Sequence, residues 1–172
     1  MTDLYPLPSD LKAVDDLPRL VIDTREQTPF HFRRLAAELG TLYTGDYSIA
    51  GLEERFAIER KSVSDLVSCC KGANRERFQR ELHRLRGYDF ARLLIVGTRR
   101  ELAAGEYRSA ITPQAVLATV AAIEARYCPV VFAGGEPAAA ALVESWAAWF
   151  WREWQPARRR RHSTQKKSMA TV

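Results

Sequence analysis

Asp46, Glu59 and Lys61 are the residues whose types and spacing point to chemistry. Two short apolar runs, Tyr47-Ser48-Ile49-Ala50 and Arg55-Phe56-Ala57-Ile58, flank Gly51-Leu52-Glu53-Glu54, whose glycine and acids suit a hairpin turn better than a helix. Closing that hairpin brings Asp46 and Glu59 to neighbouring places at one end of a sheet. Lys61 lies two positions after Glu59, and because strand side chains alternate with period two, the carboxylate and the ammonium leave the same face. Oxygen ligands of this kind suit a hard cation such as magnesium, with manganese as a substitute. The chemistry they point to is metal-assisted phosphodiester cleavage.

The elements that must position these residues follow in order. Pro6, Pro8 and Pro18 mark residues 1–18 as an irregular lead-in. Leu20-Val21-Ile22-Asp23 reads as a short buried strand ending in an acid. Apolar residues at helical spacing in Phe32–Leu39, stopped by Gly40, predict a helix, and Thr41–Thr44 a strand entering the hairpin. Ser62-Val63-Ser64-Asp65 has the form of a helix N-terminal cap, so Asp65 has a structural job that needs no chemistry. Between Asn74 and Arg86, Phe78, Leu82 and Leu85 share one helical face and Arg77, Arg80 and Arg84 cluster on the other. With Arg75, this stripe is expected to track phosphates; an ordinary solvated face is the competing reading. Leu93–Val96 is a buried strand, and a polar connection containing Gly105 leads to Thr112-Pro113, an N-cap and first-turn proline that start a helix to about Tyr127. Cys128–Ala133 returns as a strand. The last helix, from about Glu136 to Trp154, holds all four tryptophans. Leu142, Val143, Trp146, Trp149, Phe150 and Trp154 form a wide face, core in large part and a candidate seam with a second chain.

In fuller wording, Val21-Ile22-Asp23-Thr24-Arg25-Glu26-Gln27, Gly45-Asp46-Tyr47, and Glu59-Arg60-Lys61-Ser62 with Asp65-Leu66 resemble the nuclease domain of the XPF family of structure-specific endonucleases, within the PD-(D/E)xK superfamily. The resemblance is clear from about Leu20 to Gly97. It implies an α/β fold, a restriction-endonuclease-like mixed central sheet flanked by helices, in a single domain over residues 19–155. It implies a metal set of Asp23, Asp46 and Glu59, with Lys61 orienting the attacking water or stabilising charge on the phosphate. Arg25, Glu26 and Arg60 would tune metal position and phosphate contact, and Asp65 belongs to the same motif. Branched DNA, a flap, fork or junction, is the implied substrate, and a second copy or an inactive partner the implied companion. Two departures stand out: Val96 occupies a place where the family often has an acid, and no helix-hairpin-helix repeats follow the last helix. Asn74-Arg75 and Gln79 are the nearest equivalents of the family's Gly-Arg pair and glutamine.

Composition sets the outer limits. With 172 residues, 47% apolar and 27% charged, the chain can bury one good core. Cys69, Cys70 and Cys128 form neither a disulfide framework nor a zinc pattern. No charge-free apolar run is long enough to span a bilayer and the N-terminus lacks signal-peptide features, so a cytoplasmic protein is expected, nucleoid-associated if bacterial. Arg158, Arg159, Arg160, Arg161, Lys166 and Lys167 put +6 into residues 156–172 of a chain whose net charge is +5, so residues 1–155 sum to −1. That tail reads as disordered and as an electrostatic tether for DNA, or as a solubilising end. Taken singly, each acid is an ordinary strand-end or turn residue and Lys61 an exposed charge before a cap. A DNA-binding or dimer-partner module without catalysis is therefore the alternative class, and an accessory protein recruited through the aromatic helix a third.

Overall fold

The strand Leu20–Asp23 (β1) starts the architecture, alternating its side chains between two covered faces. The computed structural model describes residues 4–11, 13 and 16–154; the tail arginines Arg158 to Arg161 lie outside them. The remaining elements are β2 (Ala37–Gly40), β3 (Tyr47–Ile49), β4 (Phe56–Ser62), α1 (Val63–Ser68), α2 (Gly72–Leu85), β5 (Phe90–Val96), α3 (Arg99–Ala104), α4 (Pro113–Arg126), β6 (Val130–Phe132) and α5 (Glu136–Trp154). The six strands form one mixed sheet in the order β2-β1-β3-β4-β5-β6. β3 runs antiparallel to β1 and β4, while β2 on β1, and β4-β5-β6, pair in parallel.

Period-two alternation sorts the core into two layers. Leu20, Ile22, Tyr47, Phe56, Ile58 and Leu94 point to one face and are covered by α5 and by Phe30 and Leu35. Ala57, Leu93 and Ile95 point to the other, beneath α1, α2 and α4. On α2 the expected apolar face is realised: Phe78, Leu82 and Leu85 are all within 3% of full burial, each worth about 2 kcal/mol of hydrophobic stabilisation. Asp23, Glu59 and Lys61 continue the alternation of Val21 and Ala57, so they leave the sheet on the α2 side.

The hairpin stands as expected, with Tyr47 opposite Ile58. The helix predicted for Phe32–Leu39 does not form. The buried Glu144 carboxylate of α5 accepts the backbone N–H of Arg33, Arg34 and Leu35 at 2.8, 2.6 and 3.1 Å, and the Arg34 Nε at 2.8 Å. A partner some 110 positions away thus holds three N–H groups that the first turn of a helix would leave unpaired, while pairing with β1 draws Ala37–Gly40 into a strand, and Phe30, Phe32 and Leu35 become irregular-loop anchors. The strand lies at Ala37–Gly40 rather than Thr41–Thr44. Gly40, read as a helix stop, is instead the strand end that lets β2 close on β1: a Cβ there would sit 2.7 Å from Val21 Cγ1.

A short helix replaces the polar connection expected before Thr112. Thr98 and Glu101 form both halves of a capping box, and Gly105, at φ 73°, closes the helix in the left-handed region. The aromatic face of α5 is used largely inside the chain. Phe150 and Trp146 pack with Phe56 and Phe90, and Arg55 lies 4.4 Å over Trp154. The lead-in crosses the other flank, where Trp149 Nε1 and Ser145 Oγ donate to the Pro6 carbonyl and Trp151 Nε1 to that of Asp16. Trp149 remains 44% exposed. Among the described residues no helix is long and apolar enough to cross a membrane.

Candidate active site

The acids meet because the backbone at Asp46 joins two strands. Its N–H donates to Ile58 O of β4 at 2.7 Å, and its carbonyl accepts the Asp23 N–H of β1 at 2.9 Å. Gly45 permits the close approach: it sits at φ 82°, and a Cβ would lie 2.9 Å from Ile58 O. Asp46, Glu59 and Asp23 consequently line one open polar pocket at the strand ends, together with Arg25, Thr44 and the α2 residues Glu81 and Arg84. Tyr43 stands at its edge.

Each carboxylate has a distinct electrostatic setting. Asp23 is 2% exposed, and burial alone would raise its pKa. Four donors outweigh that: Arg25 N–H and Nε reach Oδ1 at 2.9 and 2.7 Å, and Arg25 Nη2 and Leu42 N–H reach Oδ2 at 3.1 and 2.8 Å. The carboxyl is held below its ordinary value, and both oxygens are occupied. Asp46 has the opposite balance. Burial and the neighbouring Glu59 charge push it up to about 8, against the backbone N–H of Arg60 at 2.7 Å and the Lys61 charge. Glu59 is also raised, chiefly by burial, with Lys61 opposing. Lys61 Nζ lies 2.5 Å from Glu59 Oε1 and 3.7 Å from Glu81 Oε2. Burial disfavours its charge, but Glu59 more than compensates, so the ammonium is held protonated.

Other sequence candidates fall elsewhere. Arg60 alternates with Glu59 and Lys61 and so leaves the opposite face of the sheet. There its guanidinium meets Thr28 Oγ1 at 2.8 Å, Glu136 Oε1 at 3.0 Å and Glu26 Oε1 at 3.7 Å, tying the loop after β1 to the start of α5. Glu26 belongs to that lock, and only the Arg60 backbone reaches the pocket. Asp65 is exposed in the first turn of α1, where its N–H donates to Ser62 Oγ and its carboxylate accepts the Ser62 hydroxyl at 2.7 Å. That is the capping role, away from the pocket lining. Arg75, Arg77 and Arg80 are exposed on α2, while Arg84 turns inward and donates to Thr44 Oγ1 at 3.2 Å.

Sequence reasoning missed Glu81, Thr44 and Tyr43 as pocket residues. Glu81 had a signal, since it sits three positions after buried Phe78 and beside Leu82, on the border of the buried face of α2. Among the described residues, no group of three or more His, Cys, Asp or Glu side chains is arranged ready to hold a metal ion. The contacts explain why: Asp23 is locked to Arg25 and Glu59 to Lys61.

A sequence profile of the ERCC4 domain matches residues 22–145, from within β1 to the middle of α5. The chain belongs to the ERCC4 domain family. Its fold matches XPF from Aeropyrum pernix, at 22% identity and a TM-score of 0.58 over 77% of this chain and 61% of that one. It also matches the same protein in complex with DNA, at 21% identity and a TM-score of 0.60 over 81% and 67% of the two chains. The chain thus spans about three fifths of the length of the first of these. No curated protein matches it in sequence. At these identities the likeness establishes the fold: the mixed six-stranded sheet and flanking helices of this ERCC4 domain are those of XPF.

Proposed function

We propose that this ERCC4 domain is a magnesium-dependent endonuclease that hydrolyses phosphodiester bonds in DNA, at flaps, forks or junctions. The observation that carries the reading is the pair Asp46 and Glu59: a half-buried and a buried carboxylate in one open pocket, Asp46 pushed up to about 8 by burial and by the Glu59 charge. A donor set of that kind fits a hard divalent ion, which Asp46 and Glu59 would hold, and Glu81 lines the same pocket. When bound, magnesium supplies an acidified water and neutralises charge building on the phosphate. Asp23, expected to be a third ligand, is better suited to anchoring Arg25, whose exposed guanidinium then faces a phosphate oxygen. Lys61, fixed by Glu59 and Glu81, presents an ammonium where the attacking water or the leaving oxygen needs one. Arg75, Arg77 and Arg80 line up on α2 to hold the adjoining backbone phosphates. Support for DNA as the partner comes from the family and from the Aeropyrum pernix XPF complex with DNA, which shares this fold. Pairing with a second chain through α5 rests on Trp149, and sedimentation at micromolar concentration tests it.

One observation favours the alternative, a DNA-binding module without catalysis: Arg25 and Lys61 already neutralise two of the three acids. Incubation of the purified chain with flap, fork, four-way junction and linear duplexes, with and without magnesium, separates the two. Cleavage in magnesium that is lost in Lys61→Ala, with DNA affinity kept within a few-fold, supports the enzyme. Binding without cleavage at any metal concentration refutes it.

A further inference from the structure

Tyr43 is one of four large apolar side chains that stay exposed among the described residues, at 80%, and it alone of them lines the acidic pocket. Its backbone is held on both sides. Leu42 is buried, its N–H on Asp23 and its carbonyl taken by Arg25 Nη2 at 2.8 Å; Thr44 is buried and bonded to Arg84. Gly45 then fixes the turn into Asp46. A ring carried between two pinned residues is presented to solvent in one place rather than left there by a loose loop. The Arg84 guanidinium lies 5.9 Å from the ring centroid, so a flat aromatic surface and a planar cation flank the same mouth.

We propose that Tyr43 is a stacking platform for an unpaired nucleobase beside the scissile phosphate, and so a specificity-determining residue for DNA with a single-stranded nucleotide at the cut. The inference rests on the endonuclease reading and names its substrate more closely. Asp46 lies three steps along the chain from Tyr43, at most about 10 Å of extended chain, a reach of roughly three stacked nucleotides. Inside a duplex both faces of a base are covered by its neighbours. Only a base freed at a single-strand boundary offers a face to the ring, and such stacking tolerates any base.

The test uses the whole chain and two substrates identical except for one unpaired nucleotide beside the cut, read as the ratio of kcat/KM values. Tyr43→Ala is expected to lower the ratio about tenfold, and Tyr43→Phe and Tyr43→Trp to preserve it. The ring is exposed, so these variants fold, which circular dichroism confirms. Loss in Tyr43→Phe equal to that in Tyr43→Ala points to the hydroxyl and overturns stacking, as does an equal fall on both substrates. A second measurement needs no cleavage: 2-aminopurine at the unpaired position is quenched on binding the parent and not on binding Tyr43→Ala. Quenching by a chain that cuts nothing sinks the endonuclease reading and keeps the platform. Cleavage with no difference in quenching sinks the platform alone.

Discussion

Replacing Asp46 by Asn removes one charge from the pocket while keeping an oxygen for the Arg60 N–H. In the metal-free protein the Asp46 carboxyl is raised from 3.8 to about 8 by burial and by Glu59. The folded state therefore holds a proton that the unfolded chain releases, and stability must fall as pH rises between those values. Protonation favours folding fully below about 4, and the contribution is lost as pH passes through about 8. At 1.36 kcal/mol per unit, the full displacement corresponds to a ceiling of about 6 kcal/mol. Asp46→Asn has no such proton to lose. It should match the parent near pH 4.5 and exceed it by several kcal/mol at pH 8.5, measured by urea denaturation without divalent ions. Magnesium should narrow the gap at pH 8.5 by stabilising the parent and not the variant, because a cation takes the place of the proton and its affinity rises with pH. A variant whose pH profile parallels the parent's would refute the argument. So would an equal magnesium-induced shift in both proteins.

Other consequences follow from the same geometry. Gly45→Ala forces a side chain into a left-handed backbone and against Ile58 O, so it should cost about 2 kcal/mol in denaturant midpoint analysis and displace Asp46 enough to reduce cleavage at least tenfold. The double variant Arg77→Ala, Arg80→Ala should reduce the slope of log affinity against log salt by nearly 2, about 0.9 per lost phosphate contact, in fluorescence anisotropy with duplex DNA. Arg84→Ala should change that slope less and lower kcat more, since Arg84 is tied to Thr44 in the pocket wall. An unchanged slope in the double variant would return α2 to an ordinary solvated face.

What could be read from the chain itself is what local chemistry encodes. Alternation in Arg55–Lys61 with a glycine-containing turn specified the hairpin and put Glu59 and Lys61 on one face; Thr112-Pro113 and the apolar pattern of Asn74–Arg86 specified α4 and the buried side of α2. The capping box at Thr98 and Glu101 was equally local, yet the sequence reading passed over it and expected a polar connection. The tertiary fold alone decided the rest. Periodicity between Phe32 and Leu39 favours a helix, but β1 pairs with Ala37–Gly40 and a buried carboxylate on α5 holds the backbone of Arg33 to Leu35, and no neighbour in sequence can announce either. In the same way the acids are visible as acids, whereas their charge states depend on distant partners. Asp23 is held down by a fork from Arg25 and by Leu42, while Asp46 is raised by burial and by Glu59. Side-chain pattern is a property of neighbours along the chain; the field at a carboxylate is a property of neighbours in space.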